Sequence, residues 1–145
     1  MGQQIIQEFI RNNHLDEGCA LQGYFRVLTV KQPYASMLVS GVKKFELRNY
    51  QLPEHFISEP ILIHAGSKPM NVKVETSDGI YNYYLKYAKN NNLFSCILGV
   101  VVFGETESSP YPIFYKYRWP VREYRQFREP IRNIKGRERI WKITL

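Results

Sequence analysis

Apolar positions along the chain follow two different rhythms, and together they outline a mixed fold. Ile5, Ile6, Phe9 and Ile10 share one face at helical spacing, so residues 3–11 form a short amphipathic helix. Residues 12–23 read as loop, and residues 25–30 as a first strand. Pro33 suits a first helical position, Tyr34, Met37 and Leu38 recur at helical spacing, and Gly41 ends the pattern, so a helix is predicted over 33–40. Phe45-Glu46-Leu47-Arg48 alternates with the strand period. That alternation predicts Phe45 and Leu47 in the core, with Glu46 and Arg48 together on the opposite face.

Residues 51–58, broken by Pro53, read as loop, and residues 60–65 as a mostly apolar strand ending at His64. Gly66-Ser67-Lys68 reads as a turn whose backbone N–H groups and ammonium suit a phosphate. Residues 70–78 are irregular and polar. Asp78 is placed to cap a helix over 79–90, with Ile80, Tyr83, Tyr84 and Tyr87 as its apolar stripe. Residues 95–103 form a continuous run rich in β-branched residues, the mark of a strand buried on both faces. Glu105 follows at the strand rim. Residues 108–112 break regular structure. A terminal hairpin is predicted over 131–145, turning at Lys135-Gly136, with Trp141, Ile143 and Leu145 on one face and Trp141 in the core.

Composition changes this picture in one place. The chain of 145 residues is long enough for one domain with a real core. Residues 116–142 hold ten basic side chains against three acidic ones, which accounts for the whole net charge of +7. Arg118, Arg122, Arg125, Arg128, Arg132, Lys135, Arg137 and Arg139 are interleaved there with Tyr115, Tyr117, Trp119, Tyr124 and Phe127. Guanidinium forks match phosphates and aromatic faces stack bases, so this stretch is a candidate nucleic-acid surface; a solubilising surface is the plainer reading. No apolar run approaches the ~20 residues of a membrane span, and the N-terminus does not read as a signal peptide. Cys19 and Cys96 set no disulfide framework, Cys96 reads as a buried thiol, and an intracellular location is expected. The histidines and cysteines lack ligand spacing, so neither a metal nor a cofactor is expected. A monomer is expected.

The segment Gly41-Val42-Lys43-Lys44-Phe45-Glu46-Leu47-Arg48 resembles the Gly-x-Lys-x-x-Glu-x-Arg signature of the ASCH domain (activating-signal-cointegrator homology). Gln32-Pro33-Tyr34-Ala35-Ser36 is similar to that family's Gln-Pro-Trp/Tyr-Ala segment. Ile63-His64-Ala65, residues 99–105 and Lys135-Gly136 with Ile140-Trp141-Lys142 stand in the family's order. The similarity covers residues 24–145, with residues 1–23 as an N-terminal extension. It implies an α+β architecture, a PUA-like β-barrel of about five to six strands with peripheral helices. It also implies a cleft that accepts RNA, single-stranded nucleic acid or a nucleotide. The family spacing selects Lys43 for the cleft, whereas strict alternation puts Lys44 in phase with Glu46 and Arg48.

Two functions from different classes follow. In the binding reading, Lys43 and Arg48 contact phosphate or base, Glu46 accepts from a base amino group, Tyr34 stacks, and His64, Ser67 and Lys68 add ligand contacts. In the hydrolase reading, which the resemblance to amidohydrolase and ribonuclease relatives implies, Glu46 or Glu105 activates water and Lys43 or Arg48 stabilises an oxyanion. The amidohydrolase branch carries threonine where this chain has Glu46. A non-catalytic coregulator-type interaction domain is the third possibility.

Overall fold

The apolar run that ends at Phe103 forms the centre of the molecule. In the computed structural model, which describes residues 2–70 and 79–145, strand β4 (Cys96–Phe103) is buried at every position. Around it lie β1 (Tyr24–Gln32), β2 (Phe45–Arg48), β3 (Pro60–Pro69), β5 (Glu107–Ser108), β6 (Tyr117–Ile131) and β7 (Ile140–Thr144). Three α-helices complete the described fold: α1 (Gln4–Asn12), α2 (Tyr34–Val39) and α3 (Gly79–Asn90). The fold is α+β. The sheet is mixed and seven-stranded, in the order β2-β6-β4-β3-β1-β7, with β5 added to β6. Only β1 and β3 run parallel among the paired strands.

Side chains alternate across this sheet and divide the core in two. Val27, Leu62, Val100 and Val102 join Ile6 and Ile10 of α1 on one face. Leu28, Ile61, Ile63, Leu98 and Phe103 join Ala35 and Leu38 of α2 and Ala88 of α3 on the other. The N-terminal helix therefore packs on the sheet. It is also pinned by polar contacts: the buried Glu123 carboxylate of β6 accepts from Ile6 N at 2.9 Å, in the first turn of α1. An anion there meets both the free N–H groups and the positive end of the helix dipole.

Several expectations need correction. The sheet is not closed into a barrel, because β2 and β7 end the pairing path. The polarity of β2 is inverted: Glu46 is 5% exposed and Phe45 and Leu47 are only half-buried. Register explains this, because Glu46 lies opposite Trp119, which is fully buried, while Leu47 lies opposite Arg118. Gly66, Ser67 and Lys68 continue β3 as extended strand and form no turn. The inward face of α3 carries Tyr81 and Ala88, while Ile80 and Tyr83 are 53% and 62% exposed. The Asp78 cap and residues 71–78 lie outside the described residues.

The first part of the basic stretch is a single long strand, β6, whose period is broken by bulges opposite Val102/Phe103 and between Ile97 and Gly99. Those slips hide the alternation from a sequence reading. The terminal hairpin does not form: β7 pairs antiparallel with β1, and residues 132–139 cross the sheet instead. Ile134 N donates to Ser95 O on that crossing. Trp141 is buried, as its place in the apolar pattern predicts.

Candidate functional site

The turn before β2 sets up the site. Gly41 follows α2 in the left-handed region at φ +80°, which glycine adopts without penalty. Lys43 N then donates to Met37 O at 3.0 Å, folding the chain back along α2. This brings the Lys43 ammonium over the Tyr34 ring at 5.3 Å and within 3.8 Å of Glu46 Oε1. Its Nζ also donates to Phe45 O. Lys44 takes the other direction, exposed, with its Nζ donating to Gly41 O.

Arg48 completes the cluster. Its Nε and Nη2 donate to Glu46 Oε2 at 3.0 and 2.8 Å. Nη2 also donates to Thr29 O at 3.0 Å. Thr29 belongs to β1, next to the far end of the pairing path, so the sheet curls until a side chain of its first strand reaches its fifth. The guanidinium also interacts with Tyr50, which helps to hold its charge. Tyr50 lies beside it, two positions on. Its hydroxyl is buried and completes no hydrogen bond of good geometry among the described residues. The Tyr50 ring is held edge-on by Trp119 and covered by Arg139 at 4.4 Å.

The electrostatics are those of a partly dry site. Glu46 and Lys43 attract by about 4 kcal/mol at an effective dielectric of about 20. Burial nonetheless dominates at Lys43: desolvation lowers its pKa, Glu46 opposes the drop, and Arg48 adds to it. At Arg48 the balance reverses. Burial again works against the charge, but Glu46 and Tyr50 outweigh it, and the pKa rises. The side chains of Lys43 and Arg48 are 15% and 22% exposed against 6% for Glu46, so the two cations line the opening and the carboxylate its floor.

The other predicted residues fall into different surroundings. His64 is buried, its Nε2 donating to Ile134 O at 2.7 Å and its Nδ1 accepting from the Thr29 hydroxyl at 3.1 Å. Trp141 Nε1 donates to that same hydroxyl, so the Trp141–Thr29–His64–Ile134 chain is complete. Gly136 lies so close that a Cβ there would come within 2.9 Å of the His64 ring. Burial lowers the His64 pKa against the Ile134 bond, which favours the neutral ring that this network needs. His64 thus supports the strand that holds Arg48, through Thr29, and both its ring nitrogens are engaged. Ser67, Lys68 and Glu105 are exposed, and Glu105 joins no ion pair among the described residues.

The cations of the basic stretch do not form one row. Arg118 stacks on Phe45 at 4.1 Å and pairs with Glu107. Arg132 donates to Asn92 O and Asn91 O at the end of α3. Arg125 and Arg128 line a groove of about 610 Å³ on the α1 side, away from the cluster. Arg122, Lys135 and Arg137 are exposed.

A sequence reading misses Thr29, Tyr50 and Tyr81. Tyr50 was within reach, because positions 46, 48 and 50 share the strand period. Tyr81 packs edge-on against Tyr34 at 5.7 Å and so orients the ring under Lys43. Gln32 and Ser36, in the Gln-Pro-Tyr-Ala-Ser segment, are structural: Gln32 binds Ser36 through both ends of its amide and donates to Leu93 O. Among the described residues no group of three or more His, Cys, Asp or Glu is placed to hold a metal, and no helix is long and apolar enough to cross a membrane. No protein-family model and no curated protein matches the chain.

Proposed function

We propose that this chain binds RNA or a nucleotide in the manner of an ASCH domain, with the curled sheet as its version of the PUA-like barrel. The observation that carries the reading is the Lys43–Glu46–Arg48 cluster itself. One buried carboxylate is flanked by two cations, so a partly desolvated wall keeps a net positive charge at its opening. The Tyr50 hydroxyl beside the Arg48 guanidinium is buried and completes no hydrogen bond of good geometry among the described residues. A guanidinium edge and a hydroxyl can recognise a phosphate, or the carbonyl and ring-nitrogen edge of a base. Tyr34, held by Tyr81, offers an aromatic face for stacking. The net charge of +7 adds salt-dependent attraction for a polyanion.

One observation favours a second, hydrolytic reading. Burial lowers the Lys43 pKa beside the Glu46 carboxylate, and a perturbed pair of this kind suits acid–base chemistry. A short single-stranded RNA and free mononucleotides, titrated against wild type, Lys43→Ala and Glu46→Gln across a salt series, test both. Binding that falls with salt and weakens in the variants, with the RNA intact, is the expected result. Product formed by wild type and lost in Lys43→Ala moves the chain to the hydrolase class. Absence of both binding and turnover overturns the two readings together.

A further inference from the structure

The loop joining β5 to β6 carries three large exposed apolar side chains within four positions. Tyr111, Ile113 and Phe114 are 60%, 91% and 73% exposed. Contiguous exposure of this kind marks a contact surface. The loop is tightly built. Ser109 N donates to Lys116 O at 3.0 Å, Tyr111 N to Ser109 Oγ at 3.0 Å, and Phe114 N and Tyr115 N both to Tyr111 O at 3.0 Å. Its base adjoins the cluster: Tyr117 is the register partner of Arg48, and Lys116 N donates to Asn49 Oδ1 at 3.1 Å. Phe114 lies three positions before Tyr117, so the tip lies within roughly 10 Å of the β6 residue that faces Arg48, about the length of three stacked bases.

Resting on the reading of the cluster as a nucleotide site, we propose that Tyr111 to Phe114 is a wedge that inserts between stacked bases of a single-stranded nucleic acid whose neighbouring nucleotide is held at Lys43, Glu46 and Arg48. Pro, Ile and Phe are the side chains that part base stacks, and Tyr111 adds a stacking face. From Ser108 to Arg118 no residue is acidic, so the loop sets no anion against a phosphate backbone. A lipid surface fits less well. Arg118 is already paired with Glu107, which leaves Lys116 as the single unpaired cation, whereas anionic membranes are held by clusters of about four or more.

The experiment compares wild type with the double variant Ile113→Ser/Phe114→Ser. Both side chains are exposed, so the melting temperature should not change. An eight-nucleotide single strand carrying one 2-aminopurine serves as the reporter, a free mononucleotide as the control, and anionic vesicles as the competing surface. The expected result is 2-aminopurine emission that rises on binding wild type, and an oligonucleotide affinity roughly tenfold lower in the variant, with mononucleotide affinity unchanged. Equal oligonucleotide affinity in both proteins overturns the wedge and leaves the cluster reading intact. Vesicle binding lost in the variant while oligonucleotide affinity holds assigns the loop to lipid and also overturns it. Failure of wild type to bind either nucleic-acid probe overturns both proposals.

Discussion

Glu46 is where the reasoning about this site is most exposed to measurement. In Glu46→Ala two cations lose their shared anion inside a wall that is mostly dry. Removing one partner from a fully buried charge cluster costs about 3–5 kcal/mol. The lower end applies here, because Lys43 and Arg48 keep 15% and 22% of their side-chain exposure and Arg48 retains its bond to Thr29 O. A loss of about 3 kcal/mol, spread over the unfolding entropy of 145 residues, lowers the melting temperature by about 10 °C. Glu46→Gln keeps an acceptor for Arg48 and removes only the charge, so its loss should fall between wild type and alanine. Calorimetry and urea unfolding at neutral pH read both values. Raising the salt to roughly 0.5 M should leave most of the difference in place, since buried pairs are weakly screened. A loss under about 1 kcal/mol in Glu46→Ala would mean that the cations are already hydrated, and the description of a partly dry site would fail.

Lys43 gives a prediction of opposite sign. Its folded pKa lies below the ordinary value of 10.5, so between the two the unfolded chain binds more protons and stability rises with pH. Lys43→Met should remove that rise and, at neutral pH, leave the melting temperature unchanged or higher while weakening nucleotide binding; a pH dependence identical to wild type from pH 7 to about 10 refutes it. Glu123→Ala deprives the first turn of α1 of its acceptor and should cost about 1–2 kcal/mol, with faster hydrogen exchange in residues 4–12; unchanged exchange there refutes the anchoring role. Gly41→Ala would place a Cβ 2.2 Å from Tyr124 Cζ at a φ of +80°, so it should destabilise by about 2 kcal/mol or more, and full wild-type stability in thermal unfolding would refute the close approach.

Much of this fold was legible because its strongest patterns are local. The apolar run ending at Phe103 reads as a strand buried on both faces, and the spacing of Ile5, Ile6, Phe9 and Ile10 as one face of a helix, as the structure has them. What misled was long-range pairing. Nothing within Phe45-Glu46-Leu47-Arg48 reveals that Trp119 sits opposite Glu46, yet that partner turns the polar face inward. Trp141 reads as core, but its partner strand is β1 and not the neighbouring β6. The eight-residue motif did place Lys43, Glu46 and Arg48 near one another, since they lie within six positions. Thr29 O was invisible in principle, because a backbone carbonyl carries no residue identity and is brought to Arg48 only by the curl of the sheet.

That curl ends in a four-residue strand at the sheet edge, and the fact has a kinetic side. The amides of β4, buried between two neighbours, exchange with solvent only when the whole domain opens. β2 has one neighbour, a short ladder to β6 and a guanidinium reaching Thr29 O, so its amides answer to a much smaller opening. The residues that carry the candidate chemistry thus sit on a short edge strand of the sheet, not at its centre. A ligand bridging Lys43 and Arg48 would be felt there as slowed exchange long before it altered global unfolding.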